Sequence, residues 1–132
     1  MKRQTFILIA TAVMAACDPS TPHQQEMETQ KNKAEIIEIT TFYLNQGVTP
    51  KDFEESARAM QRGFLEKQYG FIKRTLTVSQ DSIWTDIVFW KDQQSAEKTM
   101  QLSETSEIVT PFMEKIDFNS VKMTLTRPVI LE

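Results

Sequence analysis

Residues Ile83 to Trp90 read IWTDIVFW, and this stretch decides the fold. Its β-branched and aromatic residues are typical of a strand. Because the side chains of a strand alternate between two faces, one face carries Trp84, Asp86, Val88 and Trp90, and the other carries Ile83, Thr85, Ile87 and Phe89. In a strand with one solvent-exposed face, polar and apolar residues alternate, so that one face is polar. Neither of these two faces is polar. The sequence therefore predicts a strand that is covered on both faces.

Three other segments have the same composition and are predicted to be strands. They are Ala34–Leu44, Phe71–Ser79 and Ser120–Arg127. A polar link, Gln80-Asp81, joins the second of these segments to the IWTDIVFW strand, which predicts a hairpin.

Two helices are predicted between the strands. Thr49 and Pro50 are typical of the N-cap and first position of a helix. The first helix has one apolar face and ends before Gly70, and that face consists of Phe53, Ala57, Met60 and Phe64. Asp92 would cap the second helix, which turns Ala96 and Met100 inward. A shorter helical piece over residues 105–116 would bury Ile108, Phe112 and Ile116, although Pro111 leaves its start open.

The order of these elements is β-α-β-β-α-β, the split pattern of α+β ferredoxin-like domains. Right-handed crossovers would place both helices on one face of a four-stranded antiparallel sheet. The other face would lack a cover. Two tryptophans and a valine left in water would add to an apolar patch larger than monomers expose. We therefore expect a homodimer in which a second copy covers the face without helices.

Residues 1–16 have the composition of a secretory signal peptide, because two basic residues precede an eleven-residue, largely apolar run that ends at Ala16. A membrane-spanning helix would need about 20 apolar residues. Cys17 follows two alanines, which resembles the lipobox of bacterial lipoproteins and implies that Cys17 is lipidated and becomes the mature N-terminus. The alternative is an ordinary secretory signal after which Cys17 is incidental. Cys17 is the chain's only cysteine, so it has no intramolecular disulfide partner.

Residues 17–33 are predicted to be the lipidated cysteine and a flexible tether, because they are polar and contain two prolines. Asp18 resembles the signal that retains lipoproteins at the inner membrane. The expected location is therefore the bacterial cell envelope, lipid-anchored at the periplasmic face of the inner membrane. Two of the 15 basic residues lie in the signal peptide, so 13 remain against 18 acidic ones. This negative charge argues against a nucleic-acid partner.

Residues 34–132 resemble the dimeric α+β barrel family, in its antibiotic-biosynthesis-monooxygenase-like (ABM-like) branch. The resemblance rests on the element order and on three segments: GVTPKDFEE at 47–55, YGFIKRTL at 69–76 and WTDIVFWKDQQSAEK at 84–98. It implies a site in the cavity between sheet and helices. It also implies the activities of the branch, which include cofactor-independent quinone-forming oxygenases and haem-degrading enzymes.

Haem-degrading members of this branch place a histidine on the helix that follows the third strand. The corresponding segment here, residues 91–102, contains none, and the chain's only histidine is His23 in the tether. The resemblance therefore implies that haem does not bind, and we expect no cofactor. Metal-ligand spacing is also missing from the sequence, so no metal site is predicted.

Asp86 is the most unusual residue of the IWTDIVFW strand, because a buried carboxylate without a partner is costly. Arg74 on the neighbouring strand is its obvious partner. The two would face each other if the hairpin loop has an odd number of residues, and an even number would place Thr75 there instead. A functional pair would line a pocket, with Asp86 as base or hydrogen-bond anchor. The alternative is a structural ion pair that fixes the register or the dimer interface.

Tyr43, Trp84 and Trp90 are the candidate ligand-binding residues, because they would stack on a flat aromatic molecule. The alternative is that they pack in the core or at an interface. Glu38 and Thr40 on the first strand would add polar groups to either arrangement.

The main functional hypothesis is a membrane-anchored module that binds a small apolar or aromatic molecule without turning it over. One alternative is a cofactor-independent monooxygenase that acts on a quinol or an aromatic substrate, which Asp86 and Arg74 would orient. Another alternative is a structural partner of an envelope protein.

Overall fold

A computed structural model of the protein describes residues 33–131. In this part of the chain, four strands are connected by three helices and one 3-10 turn. The strands are β1 (Ile36–Leu44), β2 (Phe71–Val78), β3 (Trp84–Trp90) and β4 (Ile116–Thr126), the helices are α1 (Pro50–Gly63), α2 (Gln93–Ser103) and α3 (Thr110–Met113), and the 3-10 turn is Leu65–Lys67. The predictions of a signal peptide, of a lipidated Cys17 and of a tether fall outside the described residues, except for Lys33.

The strands form one antiparallel sheet in the order β2-β3-β1-β4, so β3 and β1 are central and β2 and β4 are edges. The helices cover one face of this sheet. The predicted α+β, ferredoxin-like architecture is thereby confirmed. Each helix between residues 33 and 131 is too short or too polar to span a lipid bilayer.

Both long helices begin where the sequence predicts. The Thr49 hydroxyl accepts a hydrogen bond from the backbone N–H of Asp52 at 3.2 Å, and Pro50 follows as the first helical residue of α1. An Asp92 carboxylate oxygen accepts one from the N–H of Ser95 at 2.8 Å at the start of α2. Each cap satisfies a backbone donor that has no partner within its own helix.

The prediction for residues 105–116 is wrong in extent. The helix there is the four residues of α3, β4 begins at Ile116 rather than Ser120, and Ile108 is 50% exposed instead of buried. The cause is a long-range contact, because the side-chain amide of Asn45 donates to the carbonyl oxygens of Glu114 and Ile116. These two bonds hold the end of α3 and the start of β4 against the end of β1.

The tryptophans of β3 lie under the helices rather than on the open face of the sheet. Trp84 and Trp90 are only 4% and 1% exposed. The helix-free face instead carries the alternate residues of the strands, with a half-buried apolar centre that consists of Ile37, Ile39, Ile87 and Phe89. The premise that tryptophans would be left in water is therefore wrong, and the case for a covered sheet rests on this smaller isoleucine and phenylalanine patch.

Candidate functional site

A cavity of about 190 Å³ lies between the helix-covered face of the sheet and the three helices. A cavity of roughly 150 Å³ in another protein binds benzene, so this volume suits one aromatic ring with small substituents. Most of the walls are apolar. The exposed lining residues are Phe118 and Met123 of β4, which places the mouth of the cavity at that strand.

Methionine is unusually frequent in these walls. Every methionine of residues 33–131 lines the cavity, namely Met60, Met100, Met113 and Met123. Thioether side chains are flexible and make favourable contacts with aromatic rings. The walls are therefore suited to a flat apolar molecule.

The sheet supplies the polar floor of the cavity. Strand alternation and register bring Glu38 and Thr40 of β1 beside Asp86 of β3, since Thr40 pairs with Asp86 and Glu38 with Val88. All four residues line the cavity. Two carboxyl groups thus lie on one surface of an otherwise apolar space.

Asp86 is held by Arg74. Arg74 Nε donates to Asp86 Oδ1 at 2.8 Å, Nη2 donates to Oδ2 at 2.5 Å, and Nη1 donates to the carbonyl oxygen of Ala57 at 3.0 Å. This bidentate pair is almost fully buried, with side-chain exposures of 2% for Arg74 and 11% for Asp86. Such charge-assisted bonds fix geometry strongly. The charge of Asp86 is therefore balanced by Arg74, and both of its carboxylate oxygens accept hydrogen bonds from that guanidinium group.

The hairpin register differs in one respect from the expectation. The β2–β3 loop spans residues 79–83, an odd number, and Arg74 and Asp86 do share a face. They are diagonal neighbours rather than opposite each other, because Arg74 pairs with Val88 and Leu76 pairs with Asp86. The long guanidinium side chain spans the offset of two residues.

Glu38 has a different environment from Asp86. Its Oε2 accepts a hydrogen bond from the indole Nε1–H of Trp90 at 3.1 Å. Burial raises the pKa of the Glu38 carboxyl above its ordinary value, and the nearby negative charge of Asp86 adds to this, whereas the Trp90 bond and Arg74 act in the opposite direction. Burial thus disfavours the charged form of Glu38 more than its hydrogen bond from Trp90 favours it.

The cavity brings together two of the five residues proposed from the sequence. Asp86 and Trp90 line it. Arg74 contacts Asp86 from a separate groove beneath α1, which Trp84 also lines. Tyr43 lies on the helix-free face and is 45% exposed. In residues 33–131, no cluster of three His, Cys, Asp or Glu side chains is placed to hold a metal ion.

Most of the cavity wall was missed from the sequence. The sequence predicts Met60, Phe64, Met100 and Phe112 only as core residues. Glu38 carried a usable signal, because strand alternation puts it on the same face as Ile36 and Phe42. A charged residue on such a face needs a partner or a function.

The sequence matches no protein-family model and no curated protein. Solved structures with the same fold do match. They include SnoaB, a cofactor-independent oxygenase from Streptomyces nogalater, with 19% identity, a TM-score of 0.59 and coverage of 75% of this chain and 97% of that one. A structure from Bordetella bronchiseptica, named provisionally as an antibiotic biosynthesis monooxygenase, has 19% identity, a TM-score of 0.62 and coverage of 74% and 100%.

A third structure is a monooxygenase from Streptomyces coelicolor in complex with the ligand nanaomycin D. It has 14% identity, a TM-score of 0.51 and coverage of 75% of this chain and 93% of that one. At such identities the likeness establishes the fold. The chain therefore shares the ABM-type fold of these proteins.

Proposed function

We propose that the domain is a cofactor-independent monooxygenase that oxidises a small phenol or hydroquinone in its cavity. The observation that supports this most is the apolar cavity of about 190 Å³ with carboxyl groups and an indole on its floor. Its volume suits one ring, and most of the walls around that ring are apolar. The activities of two structural neighbours, a cofactor-independent oxygenase and a monooxygenase, support the same reaction class.

The reaction needs no external reductant when the substrate is itself reduced. A hydroquinone and O₂ would give a hydroxyquinone and water, with one oxygen atom entering the ring and the other leaving as water. The protein would hold the ring on the floor of the cavity against Trp90 and supply a carboxylate that accepts a proton during oxidation. Asp86 would fix the shape and charge of the floor rather than bind the substrate directly, because Arg74 already binds both of its oxygens.

Oxygen uptake by the full-length protein with a panel of single-ring hydroquinones tests the proposal. We expect uptake above the spontaneous rate, and about a tenfold or greater loss in Trp90→Phe, which removes the indole from the cavity floor. Tyr69→Phe is the control, since Tyr69 is a 75% exposed aromatic residue outside the cavity. Labelled O₂ should place one labelled atom in the product. Oxygen uptake equal to the spontaneous rate with every substrate would refute the proposed monooxygenase activity.

A binding module without turnover is the second candidate. The engagement of both Asp86 oxygens by Arg74 favours it, because this carboxylate is held in a structural ion pair. The same hydroquinones would then bind, as NMR titration would detect, but the protein would consume no O₂.

The assembly proposed with this function is a homodimer that buries the helix-free face. The half-buried Ile37, Ile39, Ile87 and Phe89 support it, since a stable interface needs a packed apolar centre. Sedimentation of the lipid-free protein should give dimers. Ile87→Asp should give monomers, whereas Thr77→Asp, at the exposed edge of the same face, should not. Monomers of the unaltered protein at high concentration would exclude this assembly.

The proposed location is the periplasmic face of the inner membrane, with a lipid on Cys17 and a polar tether as far as residue 33. Its support is the signal-like composition of residues 1–16 and the position of the single cysteine. Labelling with radioactive palmitate in a bacterial host should mark the unaltered protein and leave Cys17→Ser unlabelled.

A further inference from the structure

We propose that Glu38 determines which ligands the cavity accepts. It accepts a hydrogen bond from a hydroxyl group on a single aromatic ring, so the cavity prefers phenols to rings without a donor and rejects aromatic carboxylates. This inference rests on the proposed function, because it requires the cavity to be the ligand site.

The position of Glu38 makes it accessible to a ligand. It lies in the middle of β1, paired with Val88 on one side and Leu125 on the other, and its side chain lines the cavity. Trp90 donates to Oε2. The other oxygen, Oε1, has no hydrogen-bond partner among residues 33–131. One fixed oxygen and one free oxygen give a carboxylate that is held in place and still able to bind.

The other polar groups of the lining are occupied. Asp86 gives both oxygens to Arg74. The Thr99 hydroxyl donates to the carbonyl oxygen of Ser95, and the Ser103 hydroxyl donates to that of Met100, so both protons point into α2 itself. Within the described part of the chain, Glu38 Oε1 and the Thr40 hydroxyl are the lining groups left for a ligand.

The charge balance of the cavity sets the kind of group that fits. Asp86 is paired with Arg74, whereas no cation contacts Glu38 among residues 33–131. An ionised Glu38 therefore leaves one negative charge beside an apolar space. A ligand hydroxyl would stabilise this charge with a hydrogen bond, and a ligand carboxylate would meet repulsion.

The pKa of Glu38 reflects the groups that surround its carboxyl. Burial and Asp86 of β3 raise it, and the Trp90 bond and Arg74 of β2 lower it. The faces that β4 and the three helices turn to the cavity carry no titratable residue. A bound hydroxyl would add a hydrogen bond to the charged form of Glu38, which burial disfavours.

NMR titration of the full-length protein at neutral pH with phenol, anisole and benzoate tests the inference. These probes share one ring and differ in their single substituent. We expect phenol to bind about 10- to 100-fold more tightly than anisole, the range for a hydrogen bond to a charged group. Benzoate should bind more weakly than anisole.

The matched variants are Glu38→Gln and Glu107→Gln. Glutamine at position 38 can still accept from Trp90, but it turns an amide donor towards the ligand, so the preference for phenol over anisole should fall to within about threefold. Glu107 lies in an exposed turn away from the cavity, and its substitution should leave the preference unchanged.

The outcomes separate this inference from the proposed function. If the unaltered protein binds phenol and anisole equally, Glu38 does not select the ligand, and the cavity remains an aromatic site. If the preference survives in a folded Glu38→Gln, the assignment to Glu38 is also wrong. If none of the three rings binds, both the inference and the proposed site fail.

Discussion

The two halves of the space beneath the helices differ in packing. Under α1, the fully buried ring of Phe53 contacts those of Phe42, Trp84 and Phe112, with centroid distances of 5.5, 4.7 and 5.2 Å. Under α2, the buried side chains are the small ones of Ser95, Ala96 and Thr99. One half is filled by aromatic rings, and the other leaves a cavity. The packed half thus carries most of the fold's stability and the other half the proposed chemistry, and Phe42 and Phe112 of the packed half also line the cavity.

Removing the central ring of the packed half should have the largest effect. Phe53→Ala would leave a cavity among three aromatic rings and should lower the free energy of unfolding by about 3–5 kcal/mol. Urea denaturation followed by circular dichroism measures this. A loss below about 1 kcal/mol would contradict the claim that the packed half carries most of the fold's stability.

Breaking the ion pair at the boundary between the halves should cost slightly less. Asp86→Asn leaves the buried guanidinium of Arg74 without its charge partner, and we expect a loss of about 3 kcal/mol. The double variant Asp86→Leu with Arg74→Met should recover part of this loss, because it removes both charges. Equal losses in the single and double variants would show that the pair itself is not the cause.

Filling the open half should separate binding from stability. Val121→Phe adds ring volume where Val121 lines the cavity. We expect the free energy of unfolding to change by less than about 1 kcal/mol, because the ring enters empty space, while phenol binding falls below detection. Val78→Phe, on an exposed edge-strand residue, is the control. Retained phenol binding in a folded Val121→Phe would place the ligand elsewhere.

The smallest expected effect is the pH dependence that Glu38 contributes. Because its pKa is raised in the folded state, its protonated form favours folding, and that contribution is lost as pH rises through the folded-state pKa. Glutamine cannot titrate. The stability of Glu38→Gln relative to the unaltered protein should therefore increase as pH rises from the unfolded-state pKa of Glu38 to its higher folded-state pKa, and then level off. Thermal melts of both proteins from pH 4 to pH 8 would show a constant difference if Glu38 titrates normally.

The packed half and the sheet could be predicted from the sequence because their signals are local. Thr49-Pro50 and Asp92 mark helix starts through bonds that span three residues. Strand alternation correctly sorts the residues of β3 into two faces. Alternation does not say which face receives the helices, and for that reason the sequence led us to place the tryptophans on the helix-free face.

The open half could not be predicted, because its determinants are distant in the chain. The bonds from Asn45 to Glu114 and Ile116 join residues about 70 positions apart, and they lie beside the pairing of Leu44 with Ile116 at which β4 begins. The diagonal contact of Arg74 with Asp86 depends on a five-residue loop that includes Ser82 in a left-handed conformation, with a φ of 62°. The cavity forms where side chains from several helices and strands do not fill the space between them. It therefore cannot be predicted from any single segment of the sequence.

The concentration of methionine around the cavity has a consequence for ligand shape. The methionine side chains are unbranched and have several rotatable bonds. The cavity walls can therefore adjust to ligands of different shape at a small cost in free energy, and the side chains concerned are Met60, Met100, Met113 and Met123. The cavity would then accept ligands of different shapes and still require one hydrogen bond. Such a cavity would recognise a class of molecules by a shared functional group rather than one molecule by its shape.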